Sequence, residues 1–322
     1  MIYSLAILAV ILTDPTEKSA DARPPSFTRD VIPTLTKAGC NQGACHGSFQ
    51  GRGGFRLSLL GFDSEADYES VVKAARGRRV SPAAPEQSLI LRKSSGAMPH
   101  GGGVRFSVDS PGYRVLRDWI ATGLAAPSSH DPRIVKLEVT PNQPVLDAGR
   151  ETQVQVHAVW SDGLRHDVTA SALYDSRDER IVEVSGLGLV QATSPGKGAV
   201  TVRFAGQVAA VDVTVPYAKP QGVTDFTPAN FIDELAAIEW QRLGVTPAPP
   251  ASDTEFVRRA YLDLIGTLPQ PAEVRSFIQS NDPAKRTNLI DQLLERAEYV
   301  DYWTLKWGDL LRAHRRYLGD KG

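Results

Sequence analysis

The chain predicts three modules in series: an all-α domain, an antiparallel β-sandwich and a second α-helical domain. Three observations predict this. Between Ile134 and Pro216, apolar residues alternate with period two in run after run, with turn residues between the runs. On both sides of that region, apolar residues recur at helical spacing instead. Two polar, proline-bounded stretches, Ser128–Arg133 and Tyr217–Pro228, separate the three patterns. A length of 322 residues suits two or three domains, and a 42% hydrophobic fraction is enough for ordinary cores. The formal net charge of −1 gives no electrostatic reason to expect a nucleic-acid partner.

At the start, Ser4 to Leu12 is a short apolar run, below the roughly 20 residues a membrane span needs. Ala20-Asp21-Ala22 follows as a small-x-small cleavage site, so residues 1–22 read as a signal peptide without a basic n-region. The expected location is the periplasm or cell surface, with no transmembrane helix beyond the signal.

The first domain is expected over residues 26–127. Phe27, Val31, Ile32 and Leu35 form an apolar stripe with Pro33 inside it, so the helix starts or kinks there. Ser64 to Ala75 carries acidic residues early and basic ones late, as a helix dipole prefers. Pro85 to Lys93 reads as a short helix. Ser110 to Ala121 has Ser at the N-cap, Pro111 at N1, and Tyr113, Leu116, Trp119 and Ile120 on one face.

Within this domain Gly39 to Gly47 contains both cysteines of the chain, Cys40 and Cys45, followed directly by His46. Cys, spacer, Cys, His is the order of a covalent haem c attachment site, here with a four-residue spacer in place of two. The expectation is one haem c per chain, held through Cys40 and Cys45, with His46 as proximal ligand. A Cys40–Cys45 disulfide is the competing reading for an exported protein. A zinc site is disfavoured, because no second Cys or His pair follows at zinc spacing. Two distal ligands compete: Met98, before Pro99, and His100, before the glycine run 101–103.

The pattern Pro85, Ser88, Leu89, Met98, Pro99, Leu116, Trp119 and Ile120 around this motif resembles a class I cytochrome c domain, as found at the N-termini of large planctomycete-type proteins. That resemblance implies a helical fold with a distal methionine loop. The expected function is therefore one-electron transfer by an exported haem c protein, an electron carrier rather than an enzyme. Its redox partner is not readable from the sequence. The alternatives are a haem-bearing subunit of a larger redox enzyme, and a non-redox surface, adhesive or carbohydrate-binding protein with a Cys40–Cys45 disulfide. The last would make cell-surface polysaccharide the partner.

The sandwich is expected over residues 134–216. Its strand runs are Val135–Thr140, Thr152–Trp160, Ile181–Ser185, Gly188–Ala192, Ala199–Phe204 and Val208–Val215. Trp160-Ser161-Asp162-Gly163, Asp167-Val168-Thr169 and Ser194-Pro195-Gly196 resemble the bacterial Ig-like group 2 domain. His157 and His166 have no partners at metal spacing and read as strand-surface residues.

Residues 230–322 are expected to be helical, with a capping box from Ser252 to Glu255. Residues 260–269, with Tyr302-Trp303 and residues 306–312, resemble the start of a planctomycete domain family of unknown function. Its members run further, so this domain reads as incomplete. Asp263, Asp309 and His314 form no acid–base set and read as solvated or capping residues.

Overall fold

The structure is a computed structural model that describes residues 23–219 and 226–313. The signal-peptide assignment and His314 lie outside the described residues. Two compact units are present, residues 1–246 and 247–322.

The first unit opens with a helical domain. Ser26 caps a wide π-helical turn, Phe27–Val31, by accepting from the Arg29 N–H. The turn runs straight into α1 (Ile32–Lys37), with Pro33 in the first turn, where no intrahelical N–H is needed. The expected helix over Ser64 to Ala75 forms only as far as Lys73; beyond it Ala75 and Arg76 take left-handed φ values of +54° and +63°. It begins as α2 (Ser64–Tyr68) under an Asp63 cap and continues as a π-turn to Lys73. Further on come α3 (Leu89–Ser94) and α4 (Pro111–Ala121). Ser110 Oγ accepts from the Tyr113 N–H, as its position before Pro111 predicts.

These elements close on one core of Phe27, Val31, Leu35, Leu57, Leu91, Leu116, Trp119 and Ile120. Trp119 is fully buried, its ring 5.1 Å from that of Phe27 and its indole N–H donating to the Ala125 carbonyl at 3.1 Å. Burying an indole removes more apolar surface than any other side chain here, and the one polar atom it carries is satisfied.

The β region has nine strands: β1 (Ile134–Thr140), β2 (Glu151–Gln153), β3 (Gln155–Trp160), β4 (Arg165–Asp167), β5 (Leu173–Ser176), β6 (Val182–Val184), β7 (Leu189–Ala192), β8 (Gly196–Phe204) and β9 (Gln207–Val215). They pair antiparallel in the orders β1-β3-β4, β2-β7-β6 and β5-β8-β9. The hairpin β8–β9 is in register from Gly196↔Val215 to Phe204↔Gln207. Alternate residues Val154, Val156, Ala158 and Trp160 point inward against Val200, Val202, Val211 and Val213, which is the buried face that period-two alternation specifies. Strands β4 and β5 are absent from the sequence expectation, because Arg165-His166-Asp167 and Leu173-Tyr174-Asp175-Ser176 do not alternate apolar with polar residues.

The helical domain and the sandwich form one body. Arg29, one turn before α1, and Lys37, the last residue of α1, both reach the sandwich. Lys37 Nζ donates to the carbonyls of Ala172 and Gly186 and stands 5.4 Å from the Tyr174 ring. Ser128–Arg133 is tied to both domains: Asp131 accepts from the Thr28 hydroxyl, and Arg133 bonds Ser161 through its N–H and its carbonyl. The stretch expected to be a free linker is therefore part of the junction. Helix α5 (Phe231–Leu243) also belongs to this unit, through Lys197–Glu239 and the Arg242 bond to the Gln143 carbonyl.

The second unit contains α6 (Asp253–Ile265), α7 (Pro271–Gln279), α8 (Lys285–Leu294) and α9 (Ala297–Leu310). Ser252 and Glu255 make the expected capping box. Val257, Tyr261, Ile265, Phe277, Leu289 and Leu293 form its core.

Candidate functional site

The loop from Gly39 to Gly47 is built by backbone bonds. The His46 N–H donates to the Cys40 carbonyl at 3.0 Å, and the Cys45 N–H to the Gln42 carbonyl at 2.9 Å. Two glycines are required. Gly39 takes φ +76°, and a Cβ on Gly47 would stand 2.0 Å from the Asn41 carbonyl oxygen. The loop is pinned from below by Asn41, fully buried, whose amide donates to Thr36 Oγ1 at 2.8 Å.

This loop forms one wall of a cleft of about 730 Å3. Cys40, Cys45, His46 and His100 all line it, so the fold brings together four of the five sequence-predicted site residues. Met98 is not among the lining residues. The His46 and His100 rings lie nearly parallel, 8° apart with centroids 6.2 Å from one another. Each ring is oriented by a backbone carbonyl at Nδ1: Phe55 for His46 at 3.0 Å, Gly103 for His100 at 2.9 Å. Burial holds His46 below the ordinary imidazole pKa, which favours its neutral form. Both cysteines are free thiols here. Burial pushes the Cys40 thiol up to about 11, against the pull of Arg105.

The sequence reading missed the cations of this cleft. Arg52, Arg78, Arg79, Lys93 and Arg105 line it, and no Asp or Glu does. The available signal was the run Arg76-Gly77-Arg78-Arg79, which a net charge taken over the whole chain averages away.

With the geometry in place, the comparisons divide the chain. Residues 135–215 match the bacterial Ig-like domain (group 2). Residues 231–321 match a family described as proteins of unknown function, DUF1549. Both matches agree with resemblances visible in the sequence. Neither description names a cytochrome or a planctomycete source. Ice-binding protein 1 of Shewanella frigidimarina (strain NCIMB 400) is 32% identical over 68 residues, which are 21% of this chain and 8% of that protein. This chain thus spans a small part of the relative it matches. Among solved structures, S-layer protein SbsC domains 4 and 5 align at 17% identity and TM-score 0.24, over 26% of this chain and 53% of that one. SbsC domains 1–6 align at 18% and TM-score 0.23, over 26% and 13%.

The one-electron-carrier expectation is corrected by these findings. Among the described residues, no group of three or more His, Cys, Asp or Glu is arranged to hold a metal ion. A sequence relative that matches a fifth of the chain is an ice-binding protein. His157 and His166 likewise belong to no such group; the buried His166 Nε2 has no hydrogen-bond partner in the strand β4. Among the described residues no helix is long and apolar enough to cross a membrane.

Proposed function

We propose that this chain is part of an exported, surface-associated adhesive protein without redox activity. In this reading the Ig-like sandwich is a rigid spacer that presents the N-terminal helical domain, and Cys40 and Cys45 pair as a disulfide outside the cytoplasm. The observation that carries it is the group 2 Ig-like sandwich at residues 135–215, welded to the helical domain through Arg29 and Lys37. A spacer transmits load or reach only if its junctions are stiff, and this one is tied by charged side chains from both ends of one helical segment. The likeness to an ice-binding protein supports a surface role. Cys40 and Cys45 line the same cleft and sit on one tight loop, which supports their pairing on oxidation.

The test is made on cells that produce the natural protein. Protease added outside should remove it, and the purified chain should have a mass two hydrogens below the reduced form. A protein shielded from external protease, or a covalent adduct on both cysteines, would overturn the reading.

A further inference from the structure

The cleft beside the cysteine loop contains an electrostatic excess that the fold itself does not use. Its five cations have no carboxylate partner among the described residues: none of Arg52, Arg78, Arg79, Lys93 or Arg105 takes part in an ion pair. Elsewhere the chain pairs its charges freely, as in Arg29–Asp162, Lys197–Glu239 and Lys285–Asp253.

Arg79 is the most telling of the five. It is 5% exposed; its guanidinium donates to the backbone carbonyls of Ser70, Ala74 and Gly54 and stands 4.7 Å over the centre of the Phe55 ring. Those bonds fix its position without neutralising its charge. A buried cation without a carboxylate partner is costly, and neutral carbonyls and a ring offset that cost without cancelling the charge. On the same cleft, Arg105 Nη2 lies 3.6 Å from Cys45 Sγ, with its other terminal nitrogen on the Ala38 carbonyl. The lining also includes apolar side chains, Leu35, Leu89 and Ile90, with the Phe55 ring under Arg79 and the nearly parallel rings of His46 and His100.

We infer that this cleft is a binding site for a small ligand that carries two or more carboxylates on a body with an apolar face. The arginines would take the carboxylates through forked, charge-assisted hydrogen bonds. The aliphatic and aromatic lining takes the body. A volume of about 730 Å3 suits a ligand of two or three rings. Two sources share this chemistry, a uronic-acid oligosaccharide and a fused-ring aromatic dicarboxylate. The inference goes beyond the adhesive reading and does not depend on it.

Titration calorimetry of the full chain at low salt distinguishes the sources. The probes are a trimer of galacturonic acid, maltotriose as its neutral counterpart, and naphthalene-2,6-dicarboxylate. At least one carboxylated probe should bind, maltotriose should not, and affinity should fall as salt rises. The paired substitution Arg78→Gln with Arg105→Gln changes two exposed side chains and should weaken binding tenfold or more. Arg79→Lys keeps the buried charge and should weaken it less than Arg79→Met. Circular dichroism of each variant separates lost binding from lost fold. Equal binding of maltotriose and the uronate trimer, unchanged affinity in the folded Arg78/Arg105 variant, or no heat from either carboxylated probe at millimolar concentration would each overturn the inference.

Discussion

The Arg29 guanidinium stands 4.8 Å over the centre of the Trp160 ring while donating to Asp162 Oδ2 at 3.1 Å. One side chain from the helical domain thereby holds the end of β3 and the turn after it. Only a tenth of the Arg29 side chain is exposed, so both contacts act in a partly desolvated setting. Arg29→Ala should cost about 1–2 kcal/mol in denaturant unfolding. It should also expose residues 128–133 to limited proteolysis. Arg29→Lys keeps the charge over the ring and should recover part of the loss. If Arg29→Ala leaves both readouts unchanged, the junction does not depend on this contact.

Trp119 is the centre of the helical core. Trp119→Ala removes a fully buried indole and leaves the Ala125 carbonyl without its donor, so a loss of about 3–5 kcal/mol is expected. Trp119→Phe retains most of the volume and should cost clearly less. Similar losses from both would place the energy in the hydrogen bond rather than in packing.

The Cys40–His46 loop tolerates no side chain at residue 47. Gly47→Ala drives a methyl into the Asn41 carbonyl, and backbone must move to relieve it. The expected loss is roughly 1–3 kcal/mol, the usual range for overpacking. Gly43 has open space around its Cβ position, so Gly43→Ala should be nearly neutral. Thermal melts of the two variants side by side check the contrast.

Burial raises the Asp67 carboxyl above its ordinary pKa, opposed by two bonds it accepts from Ser58. The folded state therefore holds a proton at pH values where the unfolded chain has released it. Between the ordinary value of 3.8 and the raised one, Asp67 makes stability fall as pH rises. Asp67→Asn mimics the protonated form, accepting from the Ser58 N–H and donating to its hydroxyl. Relative to wild type, this variant should gain stability as pH climbs from about 4 towards neutrality. A pH-independent difference between the two would refute the assignment.

With its thiol pushed up to about 11, Cys40 should resist alkylation in the reduced protein at pH 8. Peptide mapping after a timed iodoacetamide pulse reads it directly. Modification of Cys40 should rise steeply only as the pH approaches 11. Fast labelling at pH 8 would mean that the thiol is not held in an apolar setting.

Much of the architecture was legible because it is local. Ser110 before Pro111 and Ser252 before Glu255 each specify a helix start within a few residues, and both caps form as read. Valines at every second position in β8 and β9 leave one register that buries them. The short strands β4 and β5 were not legible, because their residues, Arg-His-Asp and Leu-Tyr-Asp-Ser, do not alternate apolar with polar. The cysteine loop stood out by composition, yet the same letters admitted a haem anchor, a disulfide and a metal site.

The sequence by itself determined the order and class of the three modules, the helix caps, the strand faces and the position of the cysteine loop. Each depends on spacing along the chain, and spacing is what a sequence records. Only the tertiary structure decided that Arg29 and Lys37 join the first two modules into one body. It also placed His100 on the cleft and Met98 off it, and gathered cations from four separate stretches around one opening. Those outcomes depend on which surfaces meet when residues tens of positions apart pack together, and on which charges are left without a partner once they have.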